Sequence, residues 1–136
     1  FLPQRERDWC SVQLWARDNT PVDAMFFTPM RLQGFRSFSR RSTVIEWLDG
    51  AAMHWAPGFE KEWVYRIGEL YALTGGDVPE NMRFDQSLRA QSFVRLGKKY
   101  GAGYVIDEGQ EPLPFSLLYS EGGLKVYRLP GSQGAL

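Results

Sequence analysis

The sequence predicts an α/β fold: a three-layer Rossmann-like sandwich built on a mixed, mostly parallel sheet of about five strands in the order 2-1-3-4-5, ending in a C-terminal antiparallel hairpin. Three observations predict it. Two short, nearly unbroken apolar runs, Ala24–Thr28 and Thr43–Trp47, show no polar alternation, as expected of strands covered on both faces. Segments with apolar residues at helical spacing separate the strand-like runs, which favours parallel strands with crossover connections. Near the C-terminus, Glu121-Gly122-Gly123 stands between two strand-like segments, a hairpin signal.

Taken in order, Asp8 can cap a first helix from Trp9 to about Arg17, with Trp9, Val12 and Ala16 on one face. Asn19-Thr20-Pro21 ends it, because proline disfavours helical geometry in the residue before it. The first strand follows at Ala24–Thr28. From Met30 to Ser42, Leu32, Phe35 and Phe38 recur at intervals of three, which suits a short irregular helix. Thr43–Trp47 is the second strand, rich in β-branched residues. Phe59, Trp63, Ile67 and Leu70 or Tyr71 form the stripe of a further helix, stopped by Gly75-Gly76. Asp85 can cap another helix with Ala90, Phe93, Val94, Gly97 and Tyr100 inward and Gly101 as its stop. Tyr104-Val105-Ile106 is the third strand, and Phe115–Ser120 and Leu124–Arg128 form the hairpin. Residues 1–129 read as one domain and 130–136 as a flexible tail. Phe26 and Ile45 should be fully buried.

Composition bounds the function classes. The chain has 136 residues, 43% of them apolar and 24% charged, with 16 basic and 16 acidic side chains, so its formal net charge is zero. These values exclude a disordered chain and one that grips nucleic acid through overall charge. The longest uncharged stretch is the ten residues Gly50–Phe59, against about 20 needed for a membrane-spanning helix. The first residue is Phe, which reads as a piece of a longer protein. Cys10 is the single cysteine and forms no internal disulfide; one residue after a core Trp, it reads as a small filler.

Candidate chemistry collects at the carboxyl rim of the predicted sheet, where α/β proteins bind ligands. Arg31, Arg36, Arg40 and Arg41 fall within eleven residues with no acid among them, just past Thr28. Such guanidiniums could hold a phosphate, a carboxylate or an anionic lipid headgroup by forked hydrogen bonds; the plainer alternative is a solvated loop. Trp47, Asp49 and His54, beside Glu46, form the one dense polar-aromatic group. A carboxylate beside a lone His could do acid–base work or hold a metal, but the spacing fits no metal motif, and a loop capping the sheet explains it as well. The tentative ligand-binding set is therefore Thr28, Arg31, Arg36, Arg40, Arg41, Trp47, Asp49 and His54, with no catalytic residue, metal site or cofactor assigned. Gly101-Ala102-Gly103 follows a helix and precedes a strand, the reverse of a phosphate loop. Arg89, Arg95, Lys98 and Lys99 read as the outer side of one helix, without the interleaved aromatics of a nucleic-acid platform.

Three stretches carry a resemblance. They are Trp15–Pro29, with its Asn19-Thr20-Pro21-Val22-Asp23-Ala24 entry into the first strand; Arg41–Trp47; and Tyr100–Ile106 followed by Leu118–Ser120 and Val126–Leu129. In this order and spacing they resemble the soluble C-terminal domains of bacterial multi-pass membrane proteins of the glycosyltransferase-C type, many known only as domains of unknown function. The resemblance implies an extracytoplasmic, periplasmic domain packed on a membrane-embedded remainder of the same polypeptide, soluble as this fragment. Related oligosaccharyltransferases carry a Trp-Trp-Asp-Tyr-Gly acceptor motif after the first strand. Here Thr28–Gly34 keeps only the Gly, and Trp47-Leu48-Asp49-Gly50 echoes the motif after a different strand, so acceptor recognition does not carry over. The family's catalytic acids lie on membrane loops outside this segment. The expectation is thus a non-catalytic accessory domain that assists binding of a polyprenyl-phosphate sugar or its acceptor. The alternatives are a free-standing domain binding an anion or nucleotide at the rim, and a hydrolase using Asp49 and His54.

Overall fold

The computed structural model describes residues 3–29, 32, 34–44, 86–108 and 112–131. Within them the chain runs α1 (Gln4–Asn19), β1 (Met25–Phe27), α2 (Phe35–Ser39), β2 (Ser42–Thr43), α3 (Gln86–Tyr100), β3 (Tyr104–Asp107), β4 (Ser116–Glu121) and β5 (Leu124–Arg128). The expected helix over Phe59–Tyr71, the Asp85 cap and the buried Ile45 lie outside the described residues.

Helix α1 starts earlier than Asp8 predicts. Pro3 is its N-cap, and the Pro3 carbonyl accepts from the N–H groups of Glu6 and Arg7, both at 3.1 Å. Gln4 to Arg7 are good helix formers, so the helix extends back to the proline. Asp8 therefore lies inside the helix, where Gln4 Nε2 donates to its Oδ1 at 2.7 Å. The face of Trp9, Val12, Gln13 and Ala16 is buried. With its amide nitrogen turned to the carbonyls, Gln13 donates to Gly34 O at 2.8 Å and Phe35 O at 3.3 Å, and accepts from Trp9 Nε1 at 3.1 Å. One buried amide thus ties α1 to α2 with its hydrogen-bonding capacity satisfied.

Strand β1 is central, parallel to β2 on one side and to β3 on the other. Adjacent residues of a strand point to opposite faces, and Phe26 and Phe27 show it. Phe26 is fully buried among Trp9, Val12, Ala16 and Phe35, under α1 and α2. Phe27 is buried with Phe93 and Leu96 of α3. The absence of polar alternation in this run has that cause: both faces of β1 are covered.

The sheet is five-stranded, mixed and open, in the order β2-β1-β3-β5-β4. The expected parallel arrangement holds for β2-β1-β3 and the expected antiparallel hairpin for β4–β5, but β3 pairs antiparallel with β5, and the last two strands exchange places relative to the expected 2-1-3-4-5. A contact just before β4 goes with the exchange: Leu113 is buried in the cluster that includes Tyr127 of β5, and the Leu113 N–H donates to Tyr127 Oη at 3.3 Å. β5 lies between β3 and β4, which takes the outside. Burial agrees, since β5 is largely buried and β4 largely exposed, with Leu117 at 55% and Leu118 at 37%.

Two local expectations change and one holds. In α2, Leu32 and Phe35 are buried but Phe38 is 55% exposed; a helix this short has one inward line, which Phe35 and Ser39 occupy at a spacing of four. In α3 the buried side is Ala90, Phe93, Leu96 and Gly97, whereas Val94 and Tyr100 are half-buried. Gly101 ends α3 as expected, with a left-handed φ of 74° and the Ala102 N–H donating to Gly97 O at 2.8 Å.

Candidate functional site

The carboxyl ends of β1, β2 and β3 form the rim at which open α/β sheets commonly bind ligands, and the strand order reverses between β1 and β3. Thr28 ends β1. Its hydroxyl shares a 2.7 Å hydrogen bond with that of Thr43 in β2, and both residues are buried. Cross-strand threonine pairs of this kind stabilise neighbouring strands by a few tenths to about 1 kcal/mol.

The arginines of the basic stretch divide by role. Arg41 closes the C-terminal end of α1. Its Nη2 donates to Arg17 O at 2.6 Å and Thr20 O at 2.7 Å, its Nε to Thr20 Oγ1 at 3.1 Å, and its Nη1 to Arg40 O at 3.1 Å. A cation is favoured there, because the last helical carbonyls carry partial negative charge. Thr20 Oγ1 and Asn19 Nδ2 satisfy two further carbonyls, those of Ala16 at 2.6 Å and Trp15 at 2.9 Å. Arg36 reaches from α2 to the Thr43 carbonyl at 3.0 Å. Arg40 is exposed and sits at φ 54°, the one non-glycine residue with left-handed backbone among the described residues. Arg40 and Arg36 are exposed residues, Arg36 with its Nη2 on the Thr43 carbonyl, and the Arg41 guanidinium is committed to the helix end. Arg31, Trp47, Asp49 and His54 lie outside the described residues.

A polar group at the rim that the sequence reading placed elsewhere is the pair Arg89–Asp107. Arg89 was expected on the outer side of its helix. Instead its Nη2 donates to Asp107 Oδ1 at 2.6 Å and its Nη1 to Oδ2 at 3.3 Å. The side chains are 15% and 6% exposed, and the guanidinium lies 5.3 Å from the Phe93 ring centroid. Asp107 terminates the most buried strand, so a forked guanidinium partner offsets the cost of burying its charge. The sequence signal was an acid directly after Tyr104-Val105-Ile106, which needs a cation within reach. Spacing along α3 alone did not show that Arg89 turns inward.

Other charged groups are peripheral. Arg5 pairs with Glu108 at 3.1 Å in the open. Arg17 and Asp18 pair at 2.9 Å, and that hydrogen bond holds the exposed Asp18 carboxyl below the usual range. On the opposite half of the sheet, burial, reinforced by Glu121, pushes the Tyr119 phenol up; its Oη donates to Glu121 Oε2 at 3.2 Å and its ring stacks on Trp15 at 5.2 Å. Cys10 is half-buried. Among the described residues, no three His, Cys, Asp or Glu side chains cluster in a way that could hold a metal ion, and no helix is long and apolar enough to cross a membrane.

Comparison with known proteins places residues 7–70 on the model of a family described as a domain of unknown function, DUF6798. The match spans just under half of the chain and includes most of α1 and all of β1, α2 and β2, hence the front of the sheet and the basic stretch. No curated protein and no solved structure matches the chain significantly.

Proposed function

We propose that this chain is a non-catalytic accessory domain of a membrane protein resembling the glycosyltransferase-C enzymes, lying on the extracytoplasmic side and assisting the binding of a lipid-linked sugar or its acceptor. The observation that carries the reading is the coincidence of the resemblance with one structural unit. Its three stretches supply the end of α1, all of β1 and β2, most of β3 and β5 and the middle of β4, and these strands form one sheet. The match to a domain of unknown function over the first half is compatible with this reading and adds no chemistry to it.

The test is topological. The complete reading frame that contains this chain is expected to encode several apolar segments of about 20 residues. A periplasm-active reporter fused behind Arg128 is expected to be active, and a cytoplasm-active reporter silent. A frame without membrane-spanning segments, or a domain reachable only from the cytoplasm, ends the proposal.

A second reading has its own observation. Arg36 is exposed and anchored on the Thr43 carbonyl at the carboxyl end of β2, whereas Arg40 precedes β2 at its amino end. The Arg36 guanidinium could help receive a phosphate or carboxylate. Titration with sulfate, sugar phosphates and nucleotides tests it: saturable binding lost in Arg36→Ala supports the reading, and no binding up to about 1 mM, a free energy of only about −4 kcal/mol, removes it.

A further inference from the structure

Thr28 and Thr43 stand at the carboxyl ends of β1 and β2, with their hydroxyl oxygens 2.7 Å apart. Both residues are buried, at 2% and 3% exposure. A threonine hydroxyl has one proton and two lone pairs. The two share a single hydrogen bond, so whichever oxygen accepts keeps a proton of its own to donate. Among the described residues that proton has no acceptor. A buried donor left unmet costs free energy, so the pair calls for a partner.

The surroundings select the partner. Phe26 is level with Thr43 in the parallel ladder, and Thr28 follows Phe26 by two, so both hydroxyls stand on the face that α2 covers. From α2, Arg36 sets its Nη2 3.0 Å from the Thr43 carbonyl. A hydroxyl proton and a guanidinium thus meet at one residue, on one face. The described carboxylates at this rim have cations of their own: Asp107, on the opposite face, has Arg89, and Glu108 has Arg5. The charge of Arg36 therefore favours an anion here.

We propose that Thr28 and Thr43 are ligand-contact residues, whose hydroxyl pair gives its unused proton to one oxygen of a phosphoryl group held by Arg36. The inference rests on the anion-binding reading above and deepens it. A carboxylate has two oxygens, and a guanidinium fork takes both. A phosphate has more oxygens than the fork uses, so it can satisfy Arg36 and still turn one to the hydroxyls. Either threonine can be the outward donor, because reversing the shared bond moves the spare proton to the other oxygen. Arg36 is exposed, so the ligand keeps one side toward solvent while one oxygen reaches the buried pair.

The experiment is calorimetric titration of the 136-residue chain with inorganic phosphate, beside a double variant, Thr28→Val with Thr43→Val. Valine keeps the branched shape and removes the hydroxyl; both must go, because one remaining hydroxyl can still donate. The wild type is expected to bind with a dissociation constant below about 1 mM, and the valine variant at least about tenfold more weakly. The double variant Thr28→Ser with Thr43→Ser keeps both hydroxyls and is expected to stay within about threefold of wild type. Binding that is lost in Arg36→Ala yet unchanged in the valine variant overturns this inference and leaves the anion-binding reading standing. No binding by the wild type up to about 1 mM ends both. Should the valine variant fail to fold, nuclear magnetic resonance of the wild type decides. The Thr28 and Thr43 methyl signals must shift on phosphate addition with the same midpoint as the Arg36 side chain, and methyl signals that stay in place overturn the inference.

Discussion

Arg89 and Asp107, eighteen positions apart, form a two-pronged ion pair that fastens α3 to the carboxyl end of β3. Neither side chain is more than 15% exposed, so the forked pair offsets much of the cost of burying the two charges. Removing Arg89 takes that partner from the buried Asp107 carboxylate. Arg89→Met or Asp107→Ala is expected to lower unfolding stability by about 3 kcal/mol, and the double variant by less than the sum of the two. Urea unfolding of the three proteins checks this; simple additivity would mean the pair is not coupled.

The two faces of β1 give a paired prediction. Phe26 and Phe27 are 0% and 1% exposed, in separate clusters. Truncation of either to Ala should cost about 3–5 kcal/mol. Because the clusters lie on opposite sides of the sheet, the near-ultraviolet signal of Trp9 should change in Phe26→Ala and stay nearly native in Phe27→Ala.

The hairpin turn depends on Gly122, whose φ is 58° and whose missing Cβ leaves the space the Asp8 carboxylate occupies. Gly122→Ala is expected to destabilise by about 1–3 kcal/mol, combining left-handed backbone strain with the clash. Adding Asp8→Ala should recover the clash component and leave the strain. No recovery in the double variant would show that α1 and the turn do not touch.

Arg41 and Arg40 are neighbours with different expected behaviour. Arg41→Ala leaves carbonyls at the end of α1 without their donor and is expected to cost about 1–3 kcal/mol. The exposed Arg40 side chain predicts that Arg40→Ala stays within about 0.5 kcal/mol of wild type. Thermal melts of both variants test the division between a structural arginine and a surface one.

Tyr119 sets an alkaline limit. Its phenol is raised above the ordinary value near 10 by burial first and by Glu121 second, so the folded state holds this proton more tightly than the unfolded state. The associated stability is complete below the unfolded phenol value and is lost as pH rises from there through the higher folded value. Tyr119→Phe should flatten that part of the stability curve, as read from denaturant midpoints between about pH 9 and 11. An unchanged slope would place the titrating group elsewhere.

Much of the architecture was legible in the residues. The unalternating run around Phe26 is a strand covered on both faces, the Gly-Gly hairpin lies where its turn chemistry put it, and Gly101 ends α3. Local signals with a local cause were sufficient there. The start of α1 was misplaced because a capping residue is favourable wherever it occurs, and Pro3 with four good helix formers outweighed Asp8. Of the candidate rim, the basic stretch was visible in sequence, but the different duties of Arg36, Arg40 and Arg41 were not, since they depend on which carbonyls come within 3 Å of each guanidinium.

What the sequence determined by itself was therefore the class of fold, the central strand and the turns, because periodicity, proline and glycine act over a few residues. The tertiary structure decided the exchange of β4 and β5 and the inward turn of Arg89. Each depends on a contact between segments distant along the chain, Leu113 over Tyr127 and Arg89 on Asp107. The free energy of such contacts comes from burying apolar surface and pairing charge in three dimensions, and no spacing along the chain encodes it.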